Sequence, residues 1–134
     1  VACAVAMKTL EIYERENIVG QIQKKSPAFV ARLEGLIDHP FVGEAKALGL
    51  IGGIELVADK NTRRAFDPKK GVAAKCVTFA QNEGLIVRPL GGDRIAFCPP
   101  LVISEAEIHE MFDRFERGLK RMADWITAEG LAQA

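Results

Sequence analysis

Among the residues able to do chemistry, Arg88 stands in the most constrained setting. It follows the apolar run Leu85-Ile86-Val87 and precedes Pro89, whose ring steers the arginine away from helical geometry. A guanidinium leaving an apolar strand end beside the glycine turn Gly91-Gly92-Asp93 must meet water or an anion. Its planar fork suits a carboxylate. On the residues alone, the simpler outcome is a structural salt bridge with Asp93 or a glutamate.

Other reactive groups are less informative. Glu105/Glu107, Glu14/Glu16 and Glu129 fall on helix ends or exposed faces, where capping and solvation account for them, so no acid/base pair is expected. His39 precedes Pro40 in a turn, and His109 lies on the polar side of the last helix. Cys3, Cys76 and Cys98 have neither disulfide-framework nor zinc spacing, so three reduced, mostly buried thiols in a cytoplasmic protein are expected, with no metal site. Gly49-Leu50-Ile51-Gly52-Gly53 matches neither common phosphate-loop pattern and precedes no helix, which leaves a glycine-bulged strand. The basic run Lys60, Arg63, Arg64, Lys69 and Lys70 lacks interleaved aromatics and reads as a solvated loop.

The elements that would carry these groups follow from periodicity. A first helix is predicted over residues 1–16, and Asn17 is placed to cap a second from Ile18. Ser26-Pro27 predicts a break or kink, after which Phe29, Val30, Leu33, Leu36 and Ile37 form an apolar stripe ended by Asp38-His39-Pro40. Residues 45–48 and 50–57 read as strands, with a bulge or close backbone approach at Gly52-Gly53. A polar connection spans residues 58–70. A helix over 71–83 is stopped by Gly84, and residues 85–88 and 95–98 form a hairpin around Gly91-Gly92-Asp93. In the last helix, Ser104 and Glu107 form a capping box. It carries Ile108, Met111, Phe112, Phe115, Leu119, Met122 and Ile126 on one face and ends at Gly130. The order α, α, β, β, α, β, β, α predicts an α+β fold, a small antiparallel sheet with helices packed on one side.

With 134 residues the chain fits a single domain, 1–134, able to bury a real core. Its 18 basic and 18 acidic residues balance, so no net field draws it to nucleic acid or an anionic membrane. A charged ligand must be held locally. Val1 to Met7 is apolar on every side and needs cover, from this core or from a segment preceding it.

Three stretches together resemble the C-terminal small domain of class III, pyridoxal-phosphate-dependent aminotransferases of the omega-amino acid:pyruvate type. They are Val42-Gly43-Glu44-Ala45-Lys46-Ala47-Leu48-Gly49-Leu50-Ile51-Gly52-Gly53-Ile54-Glu55-Leu56, Glu83-Gly84-Leu85-Ile86-Val87-Arg88-Pro89-Leu90-Gly91, and the run from Ile95 to Ser104. The opening Val1-Ala2-Cys3-Ala4-Val5-Ala6 resembles the helix that follows the family's large domain.

The resemblance implies a homodimeric enzyme of fold type I. It would transfer an amino group from an amine or omega-amino acid donor to a keto acid such as pyruvate, through pyridoxal 5'-phosphate. Arg88 occupies the position of the arginine that holds the substrate carboxylate, and Arg94 is a rival for the same carboxylate. The Schiff-base lysine and the acidic partner of the pyridinium nitrogen belong to the family's large domain. None of the lysines from Lys8 to Lys120 matches them, so no catalytic or cofactor-binding residue is expected here, and the chain alone is expected to be inactive. The alternative is a stand-alone α+β module that binds a small molecule or regulates, without catalysis.

Overall fold

The computed structural model describes residues 1–132. Four helices and four strands follow one another as α1 (Ala2–Arg15), α2 (Ile18–Gly35), β1 (Val42–Leu48), β2 (Ile51–Leu56), α3 (Val72–Asn82), β3 (Arg88–Leu90), β4 (Arg94–Phe97) and α4 (Glu105–Ala128). The strands form one antiparallel sheet in the order β1-β2-β4-β3. The α+β architecture is thus the one the periodicity predicts.

The sheet register separates two faces. Ile54 lies opposite Ile95, and both are buried with Phe97. Phe97 stacks on Phe112 at 5.5 Å and meets Phe115 edge-on at 4.8 Å, while Phe29 of α2 lies 5.4 Å from Phe112. This cluster ties α2 and α4 to β4. Side chains alternate along a strand, so the row Lys46, Gly53, Ala96, Arg88 and the row Glu44, Glu55, Arg94, Leu90 fall on the opposite, outer face.

The last helix forms as its sequence dictates. Ser104 Oγ accepts from the Glu107 amide at 3.2 Å, and the Glu107 carboxylate accepts from the Ser104 amide at 2.8 Å. Ile108, Phe112, Phe115, Leu119, Met122 and Ile126 of its apolar stripe are buried, and Gly130 beyond its end has φ +64°. Helix α3 lies against α4 so closely that a Cβ on Gly118 would sit 2.9 Å from the Ala80 nitrogen and 3.0 Å from its Cα.

Several local expectations need correction. Helix α2 runs unbroken through Pro27; the Gln23 carbonyl that the proline leaves without an amide accepts from Ser26 Oγ at 3.4 Å. Asn17 makes no side-chain cap; it joins α1 to α2 in the left-handed region, φ 47°, which asparagine tolerates. The close approach expected at Gly52 is present, since a Cβ there would lie 2.5 Å from Leu33 Cδ1. The bulge falls instead on the facing strand, between Val42 and Glu44. The third strand is displaced to Arg88–Leu90 and contains Pro89. An edge strand accommodates proline because one of its sides has no ladder to complete. Of the thiols, only Cys76 is buried; Cys3 and Cys98 are exposed, because Cys98 lies past the inward-facing Phe97 and Cys3 lies on α1.

Helix α1 has no buried residue. Val5, Met7 and Leu10 are each more than half exposed, so this core does not cover the apolar opening. Among the described residues, no helix is long and apolar enough to cross a membrane.

The α3–α4 contact gives a direct stability test. Gly118→Ala drives a methyl into the Ala80 backbone and is expected to destabilise the fold by about 1–3 kcal/mol. Chemical denaturation checks this, and an unchanged midpoint would contradict the close approach.

Candidate functional site

Arg88 is placed by the elements on either side of it. Val87 is buried and anchors the segment leaving α3, whereas Ile86 is 86% exposed. Arg88 then opens the edge strand opposite Ala96, with Pro89 opposite Ile95 and Leu90 opposite Arg94. Inward Ile95 therefore fixes Arg88 on the outward side of the ladder. The short strand puts Arg88 at the free edge of the sheet.

A cleft of about 930 Å³ runs along this edge, between β3 and the N-terminal half of α4. Its volume falls within the range of small-molecule sites, about 300–1,000 Å³. Apolar side chains dominate its wall, among them Ile86, Pro89, Phe97, Ile103 and Met111, and Cys98 lies in it too. Four charged residues line it: Arg88, Glu107, Glu110 and Arg114.

Three of the four are engaged. Glu107 closes the capping box, and the amide and hydroxyl of Ser104 hold its carboxyl below the usual glutamate range. Glu110 pairs with Arg114 Nε at 2.7 Å, and Arg114 also donates to the Gly84 carbonyl at 3.1 Å. The exposed Arg88 guanidinium has no hydrogen bond or ion pair among the described residues. The salt bridge that its surroundings suggested is not formed. Asp93 is turned to α3, where its Oδ1 accepts from the Ala73 amide at 2.9 Å.

The rival arginine is committed elsewhere. Arg94 donates through Nε and Nη2 to Glu55 Oε1, at 3.2 and 3.1 Å. Glu55 lies directly across the ladder from Arg94, so the pair follows from register. That leaves Arg88 as the cation free to take an anion at this edge, and its fork suits a carboxylate in two-point contact.

Other groups singled out from sequence do not join the site. His39 is half-buried; burial, then Lys60, keeps its imidazole below the usual value, and its Nδ1 accepts from the Phe41 amide. His109 lies 3.3 Å from Arg32 on the exposed side of α4. Burial pushes the Cys76 thiol up to about 12, which makes it inert. In the basic loop, Lys60 donates to the Ile37 carbonyl and Arg64 to that of Ala132. Among the described residues, no cluster of metal-ligating side chains exists.

A pyridoxal phosphate site needs a lysine for its Schiff base, and no lysine lines this cleft. Lys25 is spent on the carbonyls of Leu101 and Ile103, and Lys75 lies over the Phe79 and Trp125 rings. Among the described residues, the lining of this cleft therefore does not make a complete cofactor site.

Sequence reasoning singled out Arg88 but missed Glu55 and the task of Asp93. The Glu55–Arg94 pair joins residues 39 apart, and only strand register brings them together. Asp93 carried a readable signal, an aspartate closing a double-glycine turn, but its partner on α3 lies 20 residues away.

These features belong to a known family. The model of aminotransferase class III matches residues 1–119, and the chain belongs to that family. It is 36% identical over 120 residues to gamma aminobutyrate transaminase 3 of Solanum lycopersicum, covering 90% of this chain and 23% of that protein. It is 33% identical to the diaminobutyrate–2-oxoglutarate transaminase of Halomonas elongata, covering 98% of this chain and 29% of that protein. Among solved structures, the omega-transferase from Vibrio fluvialis JS17 superposes with a TM-score of 0.89 at 31% identity, covering 94% of this chain and 30% of that one. An omega-aminotransferase from Paracoccus denitrificans does so with 0.88 at 32% identity, covering 92% and 27%. The chain thus spans between a fifth and a third of the length of these relatives.

Proposed function

We propose that this chain is the C-terminal small domain, 1–134, of a class III aminotransferase that moves an amino group from an amine or omega-amino acid to a keto acid such as pyruvate. Arg88 is the residue that receives the substrate carboxylate. One observation carries this assignment: in a cleft whose other charges are bonded within the domain, Arg88 alone is free among the described residues. Arg94 is not the receiver, because Glu55 already occupies its guanidinium.

Pyridoxal 5'-phosphate, when bound, supplies the electron sink for the reaction. In this reading its lysine belongs to the remaining length of the enzyme, which also covers the exposed apolar side of α1. The whole protein works as a homodimer in the cytoplasm. The three free cysteines agree with a reducing compartment. The bare Val5, Met7 and Leu10 speak for a domain with a covering neighbour rather than a stand-alone module.

Two outcomes follow. In the full-length enzyme, Arg88→Ala removes a charge-assisted contact of about 1.5–3 kcal/mol. It is expected to raise KM for a carboxylate-bearing donor by roughly ten- to hundredfold while sparing an uncharged amine. Steady-state kinetics with both donors checks this, and equal losses on the two would contradict it. The purified 134-residue chain is expected to show no transamination when supplied with pyridoxal phosphate, and measurable turnover would refute the division of labour.

A further inference from the structure

We infer that Asp93 is a positioning residue for Arg88, holding the edge hairpin at the one height where the guanidinium faces the substrate carboxylate. The inference rests on the reading of Arg88 given above. It concerns a residue that touches neither substrate nor cofactor in that reading.

Strand β3 is three residues long and pairs only with β4. Its far end enters the turn Gly91-Gly92-Asp93, where Gly92 has φ +75° and Asp93 φ +51°. A turn of this kind with two glycines has little stiffness of its own. Asp93 supplies the stiffness through two bonds in different directions. Its carbonyl accepts from the Leu56 amide at 2.9 Å, at the end of β2. Its Oδ1 accepts from the Ala73 amide at 2.9 Å, in the first turn of α3.

The second bond also answers a need of the helix. Gly71 precedes α3 and offers no side-chain cap, so the buried Ala73 amide would otherwise lack an acceptor. A carboxylate at a helix N-terminus is further favoured by the helix dipole. The aspartate therefore fastens the hairpin tip to two rigid elements at once. Arg88 stands at the other end of the same short strand, and any swing of the tip moves it relative to the cleft.

The arrangement also explains a residue choice. A left-handed position in a turn is ordinarily filled by glycine or asparagine, with aspartate tolerated. Here aspartate serves as both turn residue and anchor, which uses the carboxylate that a salt bridge with Arg88 would have consumed.

The test uses the full-length holoenzyme and three variants, Asp93→Gly, Asp93→Asn and Arg88→Ala, each assayed with a carboxylate-bearing donor and an uncharged amine. Glycine keeps the backbone conformation and deletes the anchor, so Asp93→Gly is expected to raise KM for the carboxylate donor about tenfold. This lies within the roughly hundredfold effect of misplacing a group by about 1 Å. Its kcat and its kinetics on the uncharged amine should stay within about twofold of the parent, a readout that a merely structural role would not produce. Asp93→Asn keeps an acceptor oxygen and should restore most of the carboxylate KM.

Equal losses on both donors, no change on either, or an Asp93→Asn variant as defective as Asp93→Gly would each overturn the inference. Arg88→Ala separates its failure from that of the underlying reading. If Arg88→Ala does not distinguish the two donors, the role of Arg88 itself falls. If Arg88→Ala distinguishes them and Asp93→Gly does not, only the role of Asp93 falls.

Discussion

The aromatic contact of Phe97 with Phe112, Phe115 and, through Phe112, Phe29 is the joint on which the candidate site depends. Each buried phenylalanine contributes about 1.5–3 kcal/mol, and each well-placed aromatic pair about 0.5–1.5 kcal/mol more. Phe97 belongs to β4, and β4 is the sole ladder partner of β3. The edge strand carries little of its own, since its residues are all exposed. Its position is inherited from the strand beside it, and that strand is seated by the ring cluster. Arg88, on a short exposed strand, thereby gains the rigidity of the core.

Electrostatics then decides which cation is available. Exposed ion pairs add little to stability, so the Glu55–Arg94 pair matters less for folding than for what it removes. It takes a second guanidinium out of play on the same face of the sheet. Glu110 does the same for Arg114 on the helix side of the cleft, and Glu107 is spent on the capping box. Among the described residues, the outcome is an apolar cleft with one unspent positive charge, a combination suited to an anion.

How much was legible in the sequence depended on whether the governing interaction was local. The capping box of α4 and its buried stripe from Ile108 to Ile126 are set within one helix, and both were readable. The extended backbone at Arg88 was readable because Pro89 after it disfavours helical geometry. The uninterrupted α2 was not, because a single hydroxyl at Ser26 compensates the carbonyl that Pro27 leaves free. Nor was the displacement of β3, since register with β4 rather than the apolar run Leu85-Ile86-Val87 defines the strand. Glu55 depends on a pairing across the sheet for which a linear pattern carries no signal, and Asp93, legible as a turn residue, has its partner on α3 beyond the reach of such a pattern. The likeness to class III aminotransferases supplied the chemistry that residue patterns alone left open between a structural salt bridge and a substrate contact.

The claim at the centre of this account is that Arg88, and not Arg94, meets the substrate carboxylate. A crystal structure of the full-length enzyme with a carboxylate-bearing substrate analogue tests it most directly. The account predicts the analogue's carboxylate in two-point contact with the Arg88 guanidinium, while Arg94 stays on Glu55. A carboxylate held by Arg94, with Arg88 turned away from the ligand, would contradict it.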